Sequence, residues 1–530
     1  MKGKIIKVSG PTVHTDLQGL KLYERVLVKG ITGEAVRLLK NGAVIQVYEE
    51  TSGLGIGDEV ESLGQPLSVK LGPGMLSAMY DGLQRPLTTI AEESGAFIKR
   101  TEKTAYDVMK TKSEIIFYPI KKKGDTVKPG EIMGHAKEND YSFEIRNNSK
   151  NTSKITEISE KIIKENEPIA VLENGFSIMP HETLPVRTPR PVVEKLPAKE
   201  PLITGQRIVD FLFPLVKGGA AIIPGGFGTG KTILEQTIAK YADVDIVVYA
   251  GCGERGNEMA QLIEEFMSLK DPRTGESLMK RTVLVVNTSN MPVAAREASI
   301  YTAVTIAEYY RDNGLDVLLL ADSISRWAEA LREISTSLEE MPGEEGYPTY
   351  LASRLSAFLE RAGAVKTASG KKGSLSMIIS VSPPGGDFTE PVTQTLLRNT
   401  GVFLMLDTSL AHRRHFPAIN WFHSYSLYSK IISEKFISEI SPKWPVLKQR
   451  CVEILQREES LLEVAEIVGK AGMQENDKIL LQSAERIRNE FLAQNAYSED
   501  ALCRPHKTIE IIEKILNDYD LKIKEAAVLQ

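Results

Sequence analysis

The chain has 530 residues, too many for one ordinary hydrophobic core, so its length predicts two to four domains. With 42% hydrophobic and 25% charged residues it has globular composition, which excludes a disordered, collagen-like or coiled-coil chain. Lys and Arg total 65 against 70 Asp and Glu, and a formal charge of -5 gives no reason to expect nucleic acid as the main partner. No apolar run reaches the roughly 18 residues of a spanning helix, and Lys7 interrupts the N-terminal apolar stretch, so neither a membrane span nor a secretory leader is predicted. Cys252, Cys451 and Cys503 fit no disulfide framework and no Cys-x-x-Cys metal site, and these features together predict a cytoplasmic protein.

Residues 1–70 read as short strands. Ala43-Val44-Ile45-Gln46-Val47-Tyr48 is a β-branched, partly alternating run between the turn signals Asn41-Gly42 and Ser52-Gly53, and several such runs predict a small barrel. Residues 71–190 are set apart as an inserted, mainly β region with its linkers. Ile115-Ile116-Phe117 and Ile169-Ala170-Val171-Leu172 look like isolated strands there, and Gly124-Asp125-Thr126-Val127-Lys128-Pro129-Gly130 reads as a surface turn between strands in preference to a lipoyl-like hairpin. Arg187-Thr188-Pro189-Arg190-Pro191 looks like a linker.

Residues 191–423 alternate β and α. Ile246-Val247-Val248-Tyr249, Val283-Leu284-Val285-Val286, Val317-Leu318-Leu319-Leu320 and Met377-Ile378-Ile379-Ser380-Val381 are continuous apolar runs, as expected of strands buried on both faces of a parallel sheet. Helical segments such as Ala294 to Asn313 separate them. Residues 424–530 turn helical, with Leu480, Ala484, Ile487 and Phe491 at helical spacing, and Ile509, Ile512 and Leu516 repeating the pattern.

The strongest local signal is Gly225-Gly226-Phe227-Gly228-Thr229-Gly230-Lys231-Thr232, a G-x-x-x-x-G-K-[ST] loop after the apolar Ala220-Ala221-Ile222-Ile223. Glycines there let backbone N–H groups turn toward phosphate oxygens, Lys231 reaches the β and γ oxygens, and the Thr232 hydroxyl can ligate Mg²⁺. Asp322 ends an apolar strand, where a carboxylate can organise that metal or simply cap the next helix. Glu254, after the strand Ile246 to Tyr249, lies on the same sheet edge and can orient a water; Arg255 can pair with it or with developing phosphate charge, and a surface ion pair at a helix start is the plainer alternative.

With these residues in place, the chain resembles the catalytic A subunit of V-type and archaeal-type rotary ATPases. The resemblance rests on Pro224 to Thr232, Gly253 to Glu258, Asn287 to Ser299, Asp322 to Ser335, Gly346-Tyr347-Pro348 and Ser382 to Phe388, standing in the family's order, together with Gln46 to Gly55 and Tyr80 to Pro86. It implies a multidomain α/β protein: an N-terminal β-barrel, an inserted mainly-β bulge, a RecA-like P-loop core with a parallel sheet and a C-terminal helical domain. It implies ATP hydrolysis or synthesis with Mg²⁺, coupled to proton or sodium movement through other chains. Lys231 and Thr232 would hold phosphate and Mg²⁺, Asp322 would order a water on the metal, and Glu254 would activate the attacking water. Arg255 would sense the γ-phosphate, and Phe416 and Tyr497 would flank the adenine, unless their rings serve core packing. Arg326 and Arg332 are expected to be structural or interface residues.

The family's partners would be a homologous B subunit in an alternating hexamer, which supplies an arginine to the site, and central- and peripheral-stalk subunits. The membrane would be reached only through the assembled complex, at its cytoplasmic face. An arginine supplied in trans is typically worth about 10³ to 10⁵ in rate, so the isolated chain should hydrolyse ATP slowly. The sequence departs from the family at Thr229, where many eukaryotic relatives carry Cys, at Ile324, which replaces a hydroxyl residue, and in an insertion shorter than usual. The alternatives are a type III secretion or flagellar export ATPase, or an F-type β-like subunit, neither expected to carry the insertion. A B subunit would lack Lys231. A hexameric RNA helicase would need basic and aromatic residues interleaved before Pro86, and these are absent.

Overall fold

The computed structural model describes residues 1–95, 115–160, 162–163, 167–469 and 473–529. The chain divides into two compact units, one made of Met1–Lys195, Asp245–Arg361 and Val365–Leu375, the other of Leu196–Val244, Ala362–Ala364 and Ser376–Gln530.

The first unit opens with a closed six-stranded barrel, in the order Lys2–Ser9, Thr12–Thr15, Gly42–Val47, Ile31–Leu39, Glu24–Val28 and Glu59–Pro66. Closure removes sheet edges, and the alternating residues Val13, Val26, Val28, Ile45 and Val60 fill its interior. The insertion is two four-stranded antiparallel sheets around a second core that contains Ile115, Phe117, Met133, Ala136 and Ile155. The strands expected to be isolated are therefore paired. Ile115–Pro119 lies between Ile132–Glu138 and Ile162–Ile163, and Ala170–Leu172 between Ser153–Ile158 and Ser177–Ile178. Gly124–Gly130 is a turn, the two-residue strand Thr126–Val127, and a second turn.

Four parallel strands follow in this unit: Met79–Tyr80, Thr282–Asn287, Ile246–Cys252 and Asp316–Asp322. Their registers align Cys252 with Asn287 and Gly251 with Asp322, so the three longer strands end on one edge. The helix Val293–Asp312 is buried along nearly its whole length, as befits an element covering a sheet. The segment expected to be a linker is fixed into the unit instead, with Val186 buried and Arg187 held between Glu34 and Glu297.

In the second unit Ala220–Pro224 runs parallel to residues 377–381 and to Val402–Phe403. The C-terminal region is helical as expected: Ser429–Glu439, Trp444–Val468, Glu475–Arg486 with a π-helical turn Ile487–Leu492, and Pro505–Leu529. Leu480, Ala484, Ile487, Phe491, Ile509, Ile512 and Leu516 are all buried. An aromatic cluster anchors this core, with Phe211 packed 5.1 Å from Trp444 and 5.2 Å from Phe491, ring centre to ring centre.

Candidate functional site

The glycine loop sits where its preceding strand puts it. Ala220–Pro224 is wholly buried and ends at Gly225, whose N–H donates to the Val381 carbonyl at 3.2 Å. Gly228 and Gly230 hold φ of +77° and +81°, a region open to glycine at little cost. A Cβ at Gly230 would also stand 3.1 Å from the Phe416 ring, which would have to give by a few tenths of an ångström. The Thr229 hydroxyl donates to the Gly226 carbonyl at 2.8 Å and locks the turn. Lys231 opens the helix Lys231–Tyr241, leaving the first-turn N–H groups directed at the loop. Its ammonium donates to the Val381 carbonyl at 3.0 Å and to the Ser382 hydroxyl. Phe227 in the loop and Thr232 in the first turn of the helix are exposed.

Phe416 and Tyr497 come together on a cleft of about 460 Å³, which also borders Gly230, Ile233 and Thr237 of the loop and its helix. Phe416 is 40% exposed and Tyr497 84%, so neither ring is spent on core packing. The cleft is braced from below. The Gln494 N–H donates to the Phe416 carbonyl at 2.8 Å, and Arg207 donates to the carbonyls of Phe491 and Ala493, each at 2.6 Å, and to both carboxylate oxygens of Asp500. Arg207 and Ser382 carry weight that sequence reasoning did not assign them. A lone arginine before the apolar Ile208-Val209 was the available signal for the first, and Ser382 was visible only as part of a family segment.

The strand-end residues belong to the first unit. Gly253, at φ +74°, donates its N–H to the Asn287 carbonyl at 2.6 Å, and a Cβ there would stand 2.6 Å from the Arg326 Cβ. Glu254 is half-buried, and its carbonyl accepts from the Ser289 N–H at 2.9 Å, so its backbone is tied to the neighbouring strand's loop. Arg255 is exposed at the start of the helix Gly256–Ser268, 3.6 Å from Glu258. Asp322 is buried and accepts from the Tyr249 hydroxyl at 3.3 Å. The helix after it is capped by Ser323, which accepts from the Arg326 N–H, so Asp322 is not the cap that its position allowed. Arg326 pairs with Glu329 at 3.0 Å, and the Arg332 guanidinium lies over the Tyr347 ring. Beside Glu254, burial pushes the Cys252 thiol up to about 12, which leaves it inert at neutral pH.

Taken one by one, the candidate donors are of a kind that magnesium accepts. Mg²⁺ takes hard oxygens and keeps water and phosphate in its shell, so one or two protein oxygens suffice, and the Thr232 hydroxyl and the Asp322 carboxylate are of that kind.

Comparison with known proteins agrees along the chain. The family model described as ATP synthase alpha/beta family, nucleotide-binding domain, matches residues 205–426. The model of that family's beta-barrel domain matches residues 5–64, and the C-terminal domain of V and A type ATP synthase matches residues 433–530. The A subunit of the A-type ATP synthase of Methanosarcina barkeri is 50% identical over 94% of this chain and 86% of its own length. The corresponding A subunits from Methanoculleus marisnigri and Methanopyrus kandleri are each 49% identical, over 98% of this chain and 89% of theirs. Among solved structures, the assembled ATPase EscN of the enteropathogenic E. coli type III secretion system has a TM-score of 0.69, covering 97% of this chain and 100% of that one. At 22% identity this is a likeness of fold alone.

Proposed function

The chain belongs to the family of A-type ATP synthase A subunits, and from that premise we propose how its residues act. It is the catalytic subunit of a rotary ATPase, an ATP hydrolase and synthase coupled to ion transport. Gly225 to Thr232 wrap the phosphates, with Lys231 on the β and γ oxygens. Thr232 and Asp322 would hold Mg²⁺, which when bound would supply neutralisation of charge on the transferring phosphoryl group. Glu254 orients the attacking water, and Arg255 meets γ-phosphate charge once it leaves its exposed position beside Glu258. Phe416 and Tyr497 stack on adenine across the cleft beside Gly230.

The observation that carries this reading is Lys231 itself, held at the head of a helix after a glycine loop whose positive φ at Gly228 and Gly230 favours glycine. The chain assembles with B subunits, and the proposed arrangement is an alternating hexamer completed by stalk subunits at the membrane's cytoplasmic face. Among the described residues no helix is long and apolar enough to cross a membrane. Ion movement therefore falls to other subunits in this reading.

The test is Glu254→Gln in the assembled complex. ATP should bind with near-normal affinity while turnover falls by at least about 10², the order lost when an aligned transition-state group is removed. Near-normal turnover would take Glu254 out of its role. Native mass spectrometry checks the assembly, and a homohexamer in place of an alternating one would count against it.

A further inference from the structure

We propose that Ser382 is a positioning residue for the P-loop lysine, its hydroxyl fixing the direction of the Lys231 ammonium so that the remaining N–H is presented to a bound terminal phosphoryl group. The inference rests on the reading of Lys231 as the phosphate-binding lysine.

An ammonium has three donors in fixed tetrahedral relation and no acceptor. In Lys231 one goes to the Val381 carbonyl at 3.0 Å and another to the Ser382 hydroxyl, acceptors on successive residues at the end of one strand. The Gly225 carbonyl stands farther off, at 3.5 Å, too long to hold the third donor against a phosphate oxygen. The strand end is itself pinned. Residues 377–381 pair in register with Ala220–Pro224, Val381 opposite Pro224, and the Val381 carbonyl also receives the Gly225 N–H at 3.2 Å. One carbonyl thus ties the first glycine of the loop and the lysine at its far end to the same point. Ser382 supplies the second point that a direction needs. Beyond it Pro383 is buried, and Gly385 and Gly386 turn the chain away at φ of +63° and +73°, so the hydroxyl is presented from a braced backbone.

The physical consequence concerns freedom. A lysine side chain has many rotamers to lose, and a charge left to find its phosphate loses that freedom at the moment of binding or reaction. Two preset acceptors remove most of that loss beforehand. Val381 acts through its backbone and survives any substitution, so Ser382 is the half of the arrangement that mutation can read.

The experiment measures steady-state ATP hydrolysis by the complex assembled with Ser382→Ala, Ser382→Thr or Lys231→Ala subunits. Ser382→Ala should lower kcat about tenfold, the order expected for one charge-assisted hydrogen bond, with KM within about threefold of normal. Ser382→Thr keeps the hydroxyl and should restore kcat to within about twofold, while the melting temperature of the complex stays unchanged in both. Normal kcat in Ser382→Ala, or an equal loss in Ser382→Thr, overturns the proposal. If Ser382→Ala fails to assemble, Ser382→Cys keeps the size with a weak acceptor and should show the same loss of kcat; normal kcat there overturns the proposal equally. Lys231→Ala separates the two levels. Unchanged ATP affinity in that variant defeats the phosphate-loop reading itself, whereas weakened affinity beside a silent Ser382→Ala removes only the positioning role.

Discussion

Arg187 grips Glu297 through two parallel hydrogen bonds of 3.0 and 2.7 Å, and the nitrogen making the shorter one also donates to Glu34 at 2.9 Å. Glu34 lies on a barrel strand and Glu297 on the helix Val293–Asp312, and both carboxylates are almost fully buried. Tyr23 and Tyr301 flank the guanidinium with ring centres 5.1 and 5.0 Å away. Burial alone would push Glu297 up, but the charge of Arg187 and its hydrogen bond outweigh it and hold the carboxyl below its ordinary value.

Removing this arginine would leave the buried Glu297 with Arg354, 3.5 Å away, and the buried Glu34 with the Tyr48 hydroxyl as their remaining partners. Arg187→Ala should destabilise the first unit by about 3–5 kcal/mol, the cost of breaking a buried pair from one side. Arg187→Lys should rescue little of it, because a point charge cannot reproduce the planar fork. Hydrogen exchange along Ile31–Leu39 and Val293–Asp312 reads the effect, and unchanged protection in both elements would show that the pair does not lock them.

Glu138 offers a pH dependence with a definite sign. Its Oε1 accepts the Leu76 N–H at 2.9 Å, while Oε2 is buried with no hydrogen-bond partner among the described residues. Desolvation raises its pKa from 4.5 to about 7, against the backbone hydrogen bonds from Gly74 and Leu76. The folded state then binds more protons than the unfolded chain between these values. Stability contributed here is greatest below pH 4.5 and declines as pH rises to about 7, by roughly 3 kcal/mol at most. Glu138→Gln should flatten that decline in melting temperature; an unchanged slope would show that the carboxyl is solvated.

The sequence reading reached furthest where neighbours in the chain are neighbours in space. The apolar runs before Glu254 and Asp322 became strands because burial on both faces demands unbroken hydrophobicity, and the glycine loop carried its own geometry. Pairings over distance were not legible. Ile116 lies opposite both Lys137 and Ile162, and nothing in its period-two pattern names either partner. The same limit hid Arg187, whose Thr-Pro surroundings read as a linker although its partners lie 153 and 110 residues away. Arg207, 293 residues from Asp500, escaped for that reason too.

The aromatic pair on the cleft makes a separable prediction. Phe416→Ala and Tyr497→Ala should each weaken ATP binding by about 1–3 kcal/mol, the usual worth of a base stacked on an aromatic ring, and Phe416→Tyr should be tolerated. Fluorescent-nucleotide titration measures this. Full affinity in both alanine variants would place the base elsewhere.

Gly230→Ala tests the loop by two physical effects at once. A side chain at φ +81° is strained, and the new Cβ would press on Phe416 at 3.1 Å. Strain of this kind is typically worth about 1–2 kcal/mol per residue, so nucleotide affinity should fall by roughly tenfold or more. Equal affinity in Gly230→Ala would mean that the loop relaxes without consequence for phosphate.

Arg207 should act on nucleotide through Tyr497. It does not itself line the cleft, yet it holds the carbonyls of Phe491 and Ala493 and the carboxylate of Asp500, of which Ala493 and Asp500 border the cleft, and these bracket Tyr497 in the chain. Loss of these bonds frees the segment that presents the ring. Arg207→Ala should therefore weaken ATP binding about fivefold, and Tyr497→Ala added to it should weaken binding by no more than about twofold further, because residues acting through one structure do not add. A double-mutant cycle on the affinity decides the matter. Full additivity would mean that Arg207 stabilises the C-terminal helices without positioning Tyr497, and the bracing assigned to it would then be structural only.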